Sequence, residues 1–504
     1  MSLVKHGALL KNERLKLYKK PSTWVLMGVI VLMTLLNLLF TRIFIRSYES
    51  FSPTWQDQYS SQMENMAREL KSNPDDTYSK QSLETLKYLL ENEIEPTDWR
   101  TDVAIEYYNI KYGIIESKIP SEPNQQTQNP TDIEELDEKT KNRLEKLDNL
   151  LKNSDWKAFI NLKIDDLKSG YSQSANEQEK QVDIEMYELY LERNIVPVAQ
   201  NANYYYHGGG IDFDNITWKN RQVQSMRENK LNLVRGETTS GVLLTHAQRK
   251  NIENEIAASL KRLSTNTPPI TYDSFLGMLE GTSTSLSLLS ILLIVYAGNI
   301  FATEYGSGTI KLLLITPHRR KRIFWSKVLL MLELTAIALA LIFALAFLIS
   351  GAFTGFKGIA SMQVLSLFGR IVHMPYLMYI VIRFLLMLLP VIAYGALAMM
   401  MSVVTRKSAV AIAVTMLIMF GSNILMTILI ALSGRMVVPG IKFLLFANTQ
   451  IENYLPSAQS VFNINMPNTV DATMTLGFSI AMLAVYTACF LWIARDSFCR
   501  RDVK

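Results

Sequence analysis

The chain has 504 residues, a hydrophobic fraction of 49% and a formal net charge of +5 at pH 7. Its two cysteines, Cys489 and Cys499, both lie close to the C-terminus, which excludes a disulfide framework for the residues before them. The average composition hides six stretches, each of roughly 20 to 27 residues, that contain no Asp, Glu, Lys or Arg, and about 20 apolar residues suffice for a helix to cross a bilayer. The distribution of charge therefore predicts a polytopic membrane protein.

The predicted fold is an all-α polytopic membrane protein with six transmembrane helices. A helix over residues 1–21 precedes the first span, because Leu3, Leu10 and Leu17 lie seven residues apart and share one helical face. Two interpretations of this helix stay open: a basic anchor that only sets topology, and a surface helix that contacts a cytoplasmic partner. The transmembrane helices are predicted at residues 22–45, 281–303, 327–352, 376–405, 408–432 and 471–494.

The first two spans are separated by a long hydrophilic insert, residues 46–280. From Arg42 to Glu280 the chain has about 28 basic and 39 acidic residues, whereas the remainder has about 23 and 7. The insert is predicted to be mainly helical, since apolar residues recur every three or four positions. The predicted helices cover residues 56–72, 77–93, 98–116, 133–167, 176–193 and 221–263.

An aromatic segment interrupts the helical pattern of the insert. Tyr204, Tyr205, Tyr206 and His207 stand directly before three glycines, and alternating apolar residues follow. Two interpretations stay open: a turn whose aromatic side chains pack against the domain, and a short strand or loop that contacts a substrate.

Basic residues beside the predicted spans indicate the orientation in the membrane. The N-terminal helix, the link at 304–326, the link after the fourth span and the tail at 495–504 are rich in Lys and Arg. All four fall on one side if six spans alternate, and an excess of Lys and Arg marks the cytoplasmic side. Both termini are therefore predicted to be cytoplasmic, and residues 46–280 to be extracellular, together with the loops at 353–375 and 433–470. The cysteine-free insert favours a bacterial cell membrane.

Two ionisable residues lie near the ends of predicted spans. Glu333 stands about one turn inside the third span, and Arg383 stands at the outer edge of the fourth. An ionisable group at membrane depth is a functional candidate, but long side chains near an interface also reach water by snorkelling. The second interpretation is favoured for both residues.

The sequence lacks the common motifs of nucleotide-binding and hydrolytic sites. It has no Gly-x-x-x-x-Gly-Lys-Ser/Thr loop, no His-Glu-x-x-His helix and no Gly-x-Ser-x-Gly elbow. We therefore predict no catalytic site, no metal site and no cofactor in this chain. Energy for any uphill transport would have to come from another protein.

The link after the second span carries the most informative motif. Gly306 and Gly308 permit a sharp turn, a short apolar helix follows, and Pro317 ends it ahead of the basic residues Arg319 and Arg320. Taken alone, this link fits a basic loop that fixes topology, or a short helix under the membrane that contacts lipid headgroups or an acidic partner.

These features resemble the permease subunit of type-2 ATP-binding-cassette (ABC) exporters. That family has a six-helix membrane domain with both ends inside the cell, and an Asn-Glu-x-x-Lys type signature before the first span. Asn12, Glu13 and Lys16 match this signature. The family's link after the second span carries Glu-x-x-x-Gly-Thr followed by Leu-Leu, Pro and Arg. The residues of this chain that match the pattern are Glu304, Gly308, Thr309, Leu313, Leu314, Pro317 and Arg319. Arg320 follows directly.

The resemblance implies an exporter subunit without its own ATPase site. A separate cytoplasmic ABC ATPase, which would hold ATP and Mg²⁺, would press on residues 307–315, and the N-terminal helix would belong to the same docking surface. Two permease copies, or this chain with a related permease, would form the path through the lipid membrane; no nucleic acid is involved. The large insert departs from many family members, which have a short loop there.

The acidic insert suggests an amphipathic or cationic substrate, such as an antimicrobial peptide, a drug or a lipid-like molecule. A second interpretation makes the chain a membrane sensor whose extracellular domain binds a ligand and signals through the spans.

Overall fold

The computed structural model describes most of the chain and divides it into two compact units. One unit comprises Met1–Arg46 with Gly236–Lys504, and the other comprises Ser47–Arg235. The described residues are 11, 13–19, 21–51, 54–113, 138–169, 176–199, 218–237, 243–244, 246–271, 274–310, 319–367, 370–432, 440–455 and 474–500.

The described secondary structure is almost entirely helical. The α-helices, numbered in chain order, are α1 (Pro21–Phe51), α2 (Trp55–Ser72), α3 (Thr77–Glu91), α4 (Arg100–Lys111), α5 (Glu138–Asn153), α6 (Trp156–Lys168), α7 (Glu177–Glu192), α8 (Trp218–Arg235), α9 (His246–Thr265), α10 (Phe275–Gly281), α11 (Leu286–Gly306), α12 (Arg320–Thr354), α13 (Tyr376–Thr405), α14 (Ser408–Leu432) and α15 (Leu476–Arg500). The strands are β1 (Met362–Leu367) and β2 (Arg370–Pro375).

Five helical segments among the described residues are long and apolar enough to cross a membrane. They are Thr23–Phe40 within α1, the continuous segment Phe275–Gly306 that contains α10 and α11, and the helices α12, α13 and α15. These segments confirm the all-α, multi-pass membrane class. Helix α14 is also apolar, and its stretch Ser408–Ser422 is shorter than those five; the sixth span stays a prediction.

Contacts between helix termini define one end of the membrane bundle, which we term the basic end. The guanidinium of Arg406, just after α13, lies 5.1 Å from the centre of the Tyr305 ring in the last turn of α11. Arg320, the first residue of α12, donates from Nη1 to the carbonyl oxygen of Cys499 in the last turn of α15, at 3.4 Å. The ring centre of Phe301 in α11 lies 4.9 Å from that of Phe498 in α15, which joins the two pairs. The end of α11, the start of α12 and the ends of α13 and α15 therefore lie together.

The opposite end of the bundle carries an antiparallel hairpin, β1–β2, and we term it the hairpin end. Its register pairs Met362 with Pro375 and Leu367 with Arg370. The sequence had predicted only a loop over residues 353–375. The consecutive residues Val364 and Leu365 of β1 are both buried, although successive strand residues point to opposite faces. The strand therefore lacks the alternation of polar and apolar residues by which a strand is predicted.

A buried arginine fixes α9 against the hairpin. Arg262 is 2% exposed, and its Nε donates to the carbonyl oxygen of Val364 at 2.9 Å. Its Nη1 also pairs with Glu255 Oε1 at 2.8 Å, which neutralises the charge within α9. The last part of the predicted insert, residues 246–271, therefore packs within the first unit, Met1–Arg46 with Gly236–Lys504, which we term the membrane unit.

A glycine allows α11 and α13 to approach each other closely. A Cβ atom at Gly395 of α13 would lie 2.6 Å from Leu293 Cδ2 of α11. Near the basic end, Ser402 Oγ accepts a hydrogen bond from the backbone amide of Ala302 at 3.0 Å. Small and hydroxylated residues of this kind are typical of tightly packed helices in lipid.

The second unit, Ser47–Arg235, is a helical domain with its own buried side chains. Two of its predicted helices proved wrong in extent. Residues 133–167 contain the two helices α5 and α6, because Ser154 adopts a left-handed φ of 51° and Asp155 then caps α6. The predicted helix at 221–263 is likewise interrupted, since α8 ends at Arg235 and Gly236 has a φ of 74°.

Candidate functional site

Four charged side chains from three segments meet at the basic end, and we term them the charge cluster: Glu13, Lys16, Glu304 and Lys327. Glu13 and Lys16 belong to the helical N-terminal segment, residues 13–18. Glu304 lies in the last turn of α11, and Lys327 lies two turns inside α12. Residues separated by more than 300 positions in sequence are thus brought into one site.

Lys327 lies at the centre of the charge cluster. Its Nζ donates to Glu304 Oε1 at 2.8 Å and to Glu13 Oε2 at 3.1 Å. Lys16 Nζ donates to Glu13 Oε1 at 3.0 Å and lies 3.6 Å from Glu304 Oε1. Two ammonium groups and two carboxylates therefore alternate in contact, so the cluster has no net charge.

Burial makes these ion pairs energetically important. The side chain of Lys327 is 2% exposed and that of Glu13 is 6% exposed. Lys327 Nζ also donates to the Ile300 carbonyl oxygen at 3.4 Å and lies 5.4 Å from the centre of the Phe301 ring. A buried ammonium group is costly unless opposite charges and hydrogen bonds compensate it, and these contacts provide both. The cluster therefore holds the N-terminal segment against α11 and α12.

The two charged residues of the N-terminal segment have shifted pKa values. Burial alone would raise the pKa of Glu13, but the positive charges of Lys327 and Lys16 outweigh burial and hold the pKa below its usual value of 4.5. Burial would lower the pKa of Lys16, but Glu13 and Glu304 hold it above its usual value of 10.5. Both side chains are consequently charged throughout the physiological range.

These pKa directions predict an acid-sensitive contribution of Glu13 to stability. A carboxylate with a lowered folded pKa stabilises the fold above its unfolded pKa, and this stabilisation is lost as the pH falls through the folded value. We expect the difference in free energy of unfolding between the native chain and Glu13→Gln to be constant above about pH 5 and to shrink below about pH 4.5. This difference is measured by unfolding both proteins in detergent micelles between pH 3 and 7.

The exposed residue Glu253 in α9 supplies the control for this experiment. We expect Glu253→Gln to follow the native chain at every pH. A difference between native protein and Glu13→Gln that does not change on acidification would contradict the predicted pairing.

A second ion pair joins the N-terminal segment to the bundle. Arg14 Nε donates to Glu333 Oε2 of α12 at 2.8 Å. The N-terminal segment also contacts the start of α1, where Trp24 Nε1 donates to the Tyr18 carbonyl oxygen at 2.8 Å. Glu333 is therefore a docking contact for the N-terminal segment, a partner that its position in the sequence did not indicate.

The start of the predicted coupling link has the turn that its glycines indicated. Helix α11 ends at Gly306, and Gly308 adopts a φ of 71°, which favours glycine. The hydroxyls of Ser307 and Thr309 lie 2.8 Å apart, and Ser307 Oγ also donates to the Thr303 carbonyl oxygen at 2.8 Å. Further along the link, Arg319 is exposed and directly precedes α12.

Several predicted site residues lie outside the described part of the chain. This applies to one residue of the N-terminal signature, three of the link and the whole aromatic segment of the insert. They are Asn12, Leu313, Leu314, Pro317, Tyr204, Tyr205, Tyr206 and His207.

A second buried charge pair lies at the hairpin end of the bundle. Arg383 Nη1 of α13 is 3.3 Å from Glu280 Oε1 at the end of α10. Tyr376 Oη donates to Glu280 Oε2 at 2.7 Å, and Arg383 Nε donates to Ser283 Oγ at 3.4 Å. Arg383 is only 8% exposed, so the expectation that it snorkels to the interface is wrong. It instead pairs with an acid beside the short 3-10 segment Thr282–Ser285 that separates α10 from α11.

The described residues contain no group of three or more His, Cys, Asp and Glu side chains with the proximity to hold a metal ion. Opposite charges compensate one another in the charge cluster and in the Glu280–Arg383 pair, and such contacts are suited to fixing helices relative to one another.

Comparison with known proteins supports the membrane unit's class. Residues 261–504 match a family model described as a protein of unknown function (DUF2705). The uncharacterized membrane protein YdbK of Bacillus subtilis strain 168 is 29% identical over 240 residues, which are 46% of this chain and 85% of that protein. The uncharacterized protein YhcI of the same strain is 26% identical over 218 residues, which are 43% of this chain and 65% of that protein. No solved structure matches the chain.

The similarity to a membrane protein agrees with the five apolar helices, and the chain is a multi-pass membrane protein. The matched family region begins within α9 and contains the hairpin and all described helices after it. The charge cluster combines this region, through Glu304 and Lys327, with Glu13 and Lys16 from outside it.

Proposed function

We propose that this chain is the permease subunit of an ABC exporter of the type-2 class and that a separate ATPase drives it. The charge cluster is the observation that carries the proposal. It brings Glu13 and Lys16 of the N-terminal signature into contact with Glu304 of the link motif, through Lys327. The resemblance assigned both segments to one docking surface, and their direct contact supports that assignment.

The proposed coupling path begins at the link after α11. A partner that presses on this link would displace Glu304. The 2.8 Å contact between Glu304 and Lys327 would transmit this displacement to α12. The 3.1 Å contact between Lys327 and Glu13 would transmit the same displacement to the N-terminal segment. Because the paired groups are buried, their contacts are screened much less by salt than surface ion pairs. The three segments would therefore move together.

The proposed setting follows from the same assignment. In this proposal the basic end faces the cytoplasm of a bacterial cell, both termini are cytoplasmic, and residues 46–280 are extracellular. The transport path is formed with a second permease copy or a related permease. An amphipathic or cationic molecule, such as an antimicrobial peptide, is the proposed substrate, and the ATPase partner supplies ATP and Mg²⁺.

Arg319 offers the cleanest test of the docking surface. It is exposed, whereas Glu304 also compensates a buried lysine, so that a Glu304 variant would disturb folding as well as docking. Loss of one hydrogen bond to a charged partner costs about 1.5 kcal/mol or more, and we expect Arg319→Glu to weaken ATPase binding by about tenfold or more. The measurement is the affinity of a copurifying ABC ATPase for the chain in lipid nanodiscs.

Arg370 provides the matched control, because it is an exposed arginine at the hairpin end. Arg370→Glu should bind the ATPase as the native chain does. Equal binding by the native chain and Arg319→Glu would contradict the docking surface. Copurification with a membrane kinase and with no ATPase would instead favour a sensor.

A further inference from the structure

An open groove lies between α12, α13 and α15, and it extends towards the basic end. Its volume is about 530 Å³, which is within the range of ligand pockets. Leu389 and Ile392, near the middle of α13, and Leu483, in the third turn of α15, line its inner part. Ala484 and Ala488 leave room along the α15 wall.

The mouth of the groove has a different chemistry from its inner part. Trp325, in the second turn of α12, is 46% exposed, and Trp492, two turns before the end of α15, is 67% exposed. Tryptophan is enriched at the level of lipid headgroups, because its ring is apolar and its N–H seeks a polar partner. Arg495 is the charged residue that lines this groove. The groove thus runs from a cationic, aromatic mouth at headgroup level into an apolar interior.

Arg495 supplies the positive charge of the mouth. Its side chain is partly exposed, so it is available to a ligand at the membrane surface. Basic pockets between transmembrane helices are suited to anionic lipid headgroups.

We propose that this groove binds an anionic phospholipid from the leaflet at the basic end. One acyl chain lies along Leu483, Ala484 and Ala488, and the phosphate contacts Arg495. The apolar length of the groove selects a lipid over a soluble phosphate compound, and Arg495 at its mouth selects an anionic headgroup over a zwitterionic one. The site is independent of the proposed exporter function, because it needs neither ATP nor a partner protein.

Tryptophan quenching by brominated lipids tests the proposal directly. The full chain is reconstituted in phosphatidylcholine that contains a minor fraction of phosphatidylglycerol, and bromine is placed on the acyl chains of one lipid at a time. A single basic residue near the surface is worth about 1 kcal/mol, so we expect roughly fivefold enrichment of brominated phosphatidylglycerol at Trp325 and Trp492 over its bulk fraction. Trp325→Phe and Trp492→Phe assign the signal to the groove.

Two pairs of variants separate the headgroup contact from the acyl-chain contact. Arg495→Gln should abolish the enrichment, whereas Arg500→Gln on the same helix should retain it, because Arg500 is exposed and pairs with Asp496. Ala488→Phe should block the groove and remove the quenching, whereas Ala481→Phe, at an exposed position of α15 outside the groove lining, should not.

Each of these comparisons is able to overturn the proposal. Equal quenching by brominated phosphatidylcholine and phosphatidylglycerol at matched fractions would show that the headgroup is not selected. Unchanged quenching in Ala488→Phe would show that no acyl chain occupies the groove. Enrichment that survives in Arg495→Gln would assign the attraction to the general charge of the basic end.

Discussion

Replacing Lys327 by methionine should destabilise the membrane unit by about 3 to 5 kcal/mol, because one partner of a buried ion pair would be removed. Lys327 contacts Glu304 and Glu13, and both carboxylates are largely buried. Glu13 would keep Lys16, whereas Glu304 would keep only the longer 3.6 Å contact to that residue. The measurement is the free energy of unfolding in detergent micelles, read from helix content.

A neighbouring lysine and a combined variant make this prediction specific. Lys321→Met changes an exposed residue of the same helix and should stay within about 0.5 kcal/mol of the native value. The triple change Glu13→Gln, Glu304→Gln and Lys327→Met removes the buried charges of the cluster and leaves Lys16, whose side chain is 46% exposed. It should therefore recover much of the loss. A single Lys327→Met variant as stable as the native chain would show that the cluster does not hold the segments together.

Replacing Arg383 by methionine should have an effect of similar size at the hairpin end. It would leave Glu280, which is 4% exposed, without its cation and with the Tyr376 hydroxyl as a remaining partner. A buried carboxylate in that state costs about 3 to 5 kcal/mol relative to the paired state, or else becomes protonated. We expect faster hydrogen exchange over residues 275–285, measured by mass spectrometry, as well as lower global stability.

The double change Glu280→Gln and Arg383→Met separates charge from packing. It removes both charges, so it should be more stable than Arg383→Met alone by a measurable coupling energy. The exposed Arg370→Met serves as the control at the same end. Additive effects of the two single changes would contradict the pairing of Glu280 with Arg383.

The contrast between apolar and charged stretches was sufficient to predict the class of fold. Long charge-free stretches indicated membrane helices, and five such helices are present among the described residues. Interruptions between helices were harder to predict, because a single left-handed residue such as Ser154 ends a helix without changing the apolar periodicity around it. The hairpin β1–β2 was missed for a related reason: two strands of 6 residues each give a weak signal beside long apolar helices.

The residues of the candidate site were likewise predicted only in part. Glu13, Lys16 and Glu304 were predicted from two separate motifs, but Lys327, which joins them, is the first residue of the predicted third span and was not singled out. Lys327 precedes an apolar run on a helix face that also buries Phe324 and Met331. A lysine on such a face needs an acidic partner, and this requirement was the available signal. Which acids would meet it depended on helix packing, which one sequence does not specify.

Helix α12 has a geometric property with a mechanical consequence. Its 35 residues contain no proline, and at 1.5 Å per residue they extend about 52 Å, well beyond a hydrocarbon core of about 30 Å. Neighbouring α13 contains Pro390, and a 3-10 segment interrupts the path from α10 to α11. A tilt of 10° about the middle of α12 would displace its two ends in opposite directions by about 4 to 5 Å each. Lys327 lies near one end of α12, and the ring of Phe347, nearer the other end, packs edge-to-face on Phe275. A tilt of α12 as one rigid helix would therefore couple movements on the two sides of the bilayer.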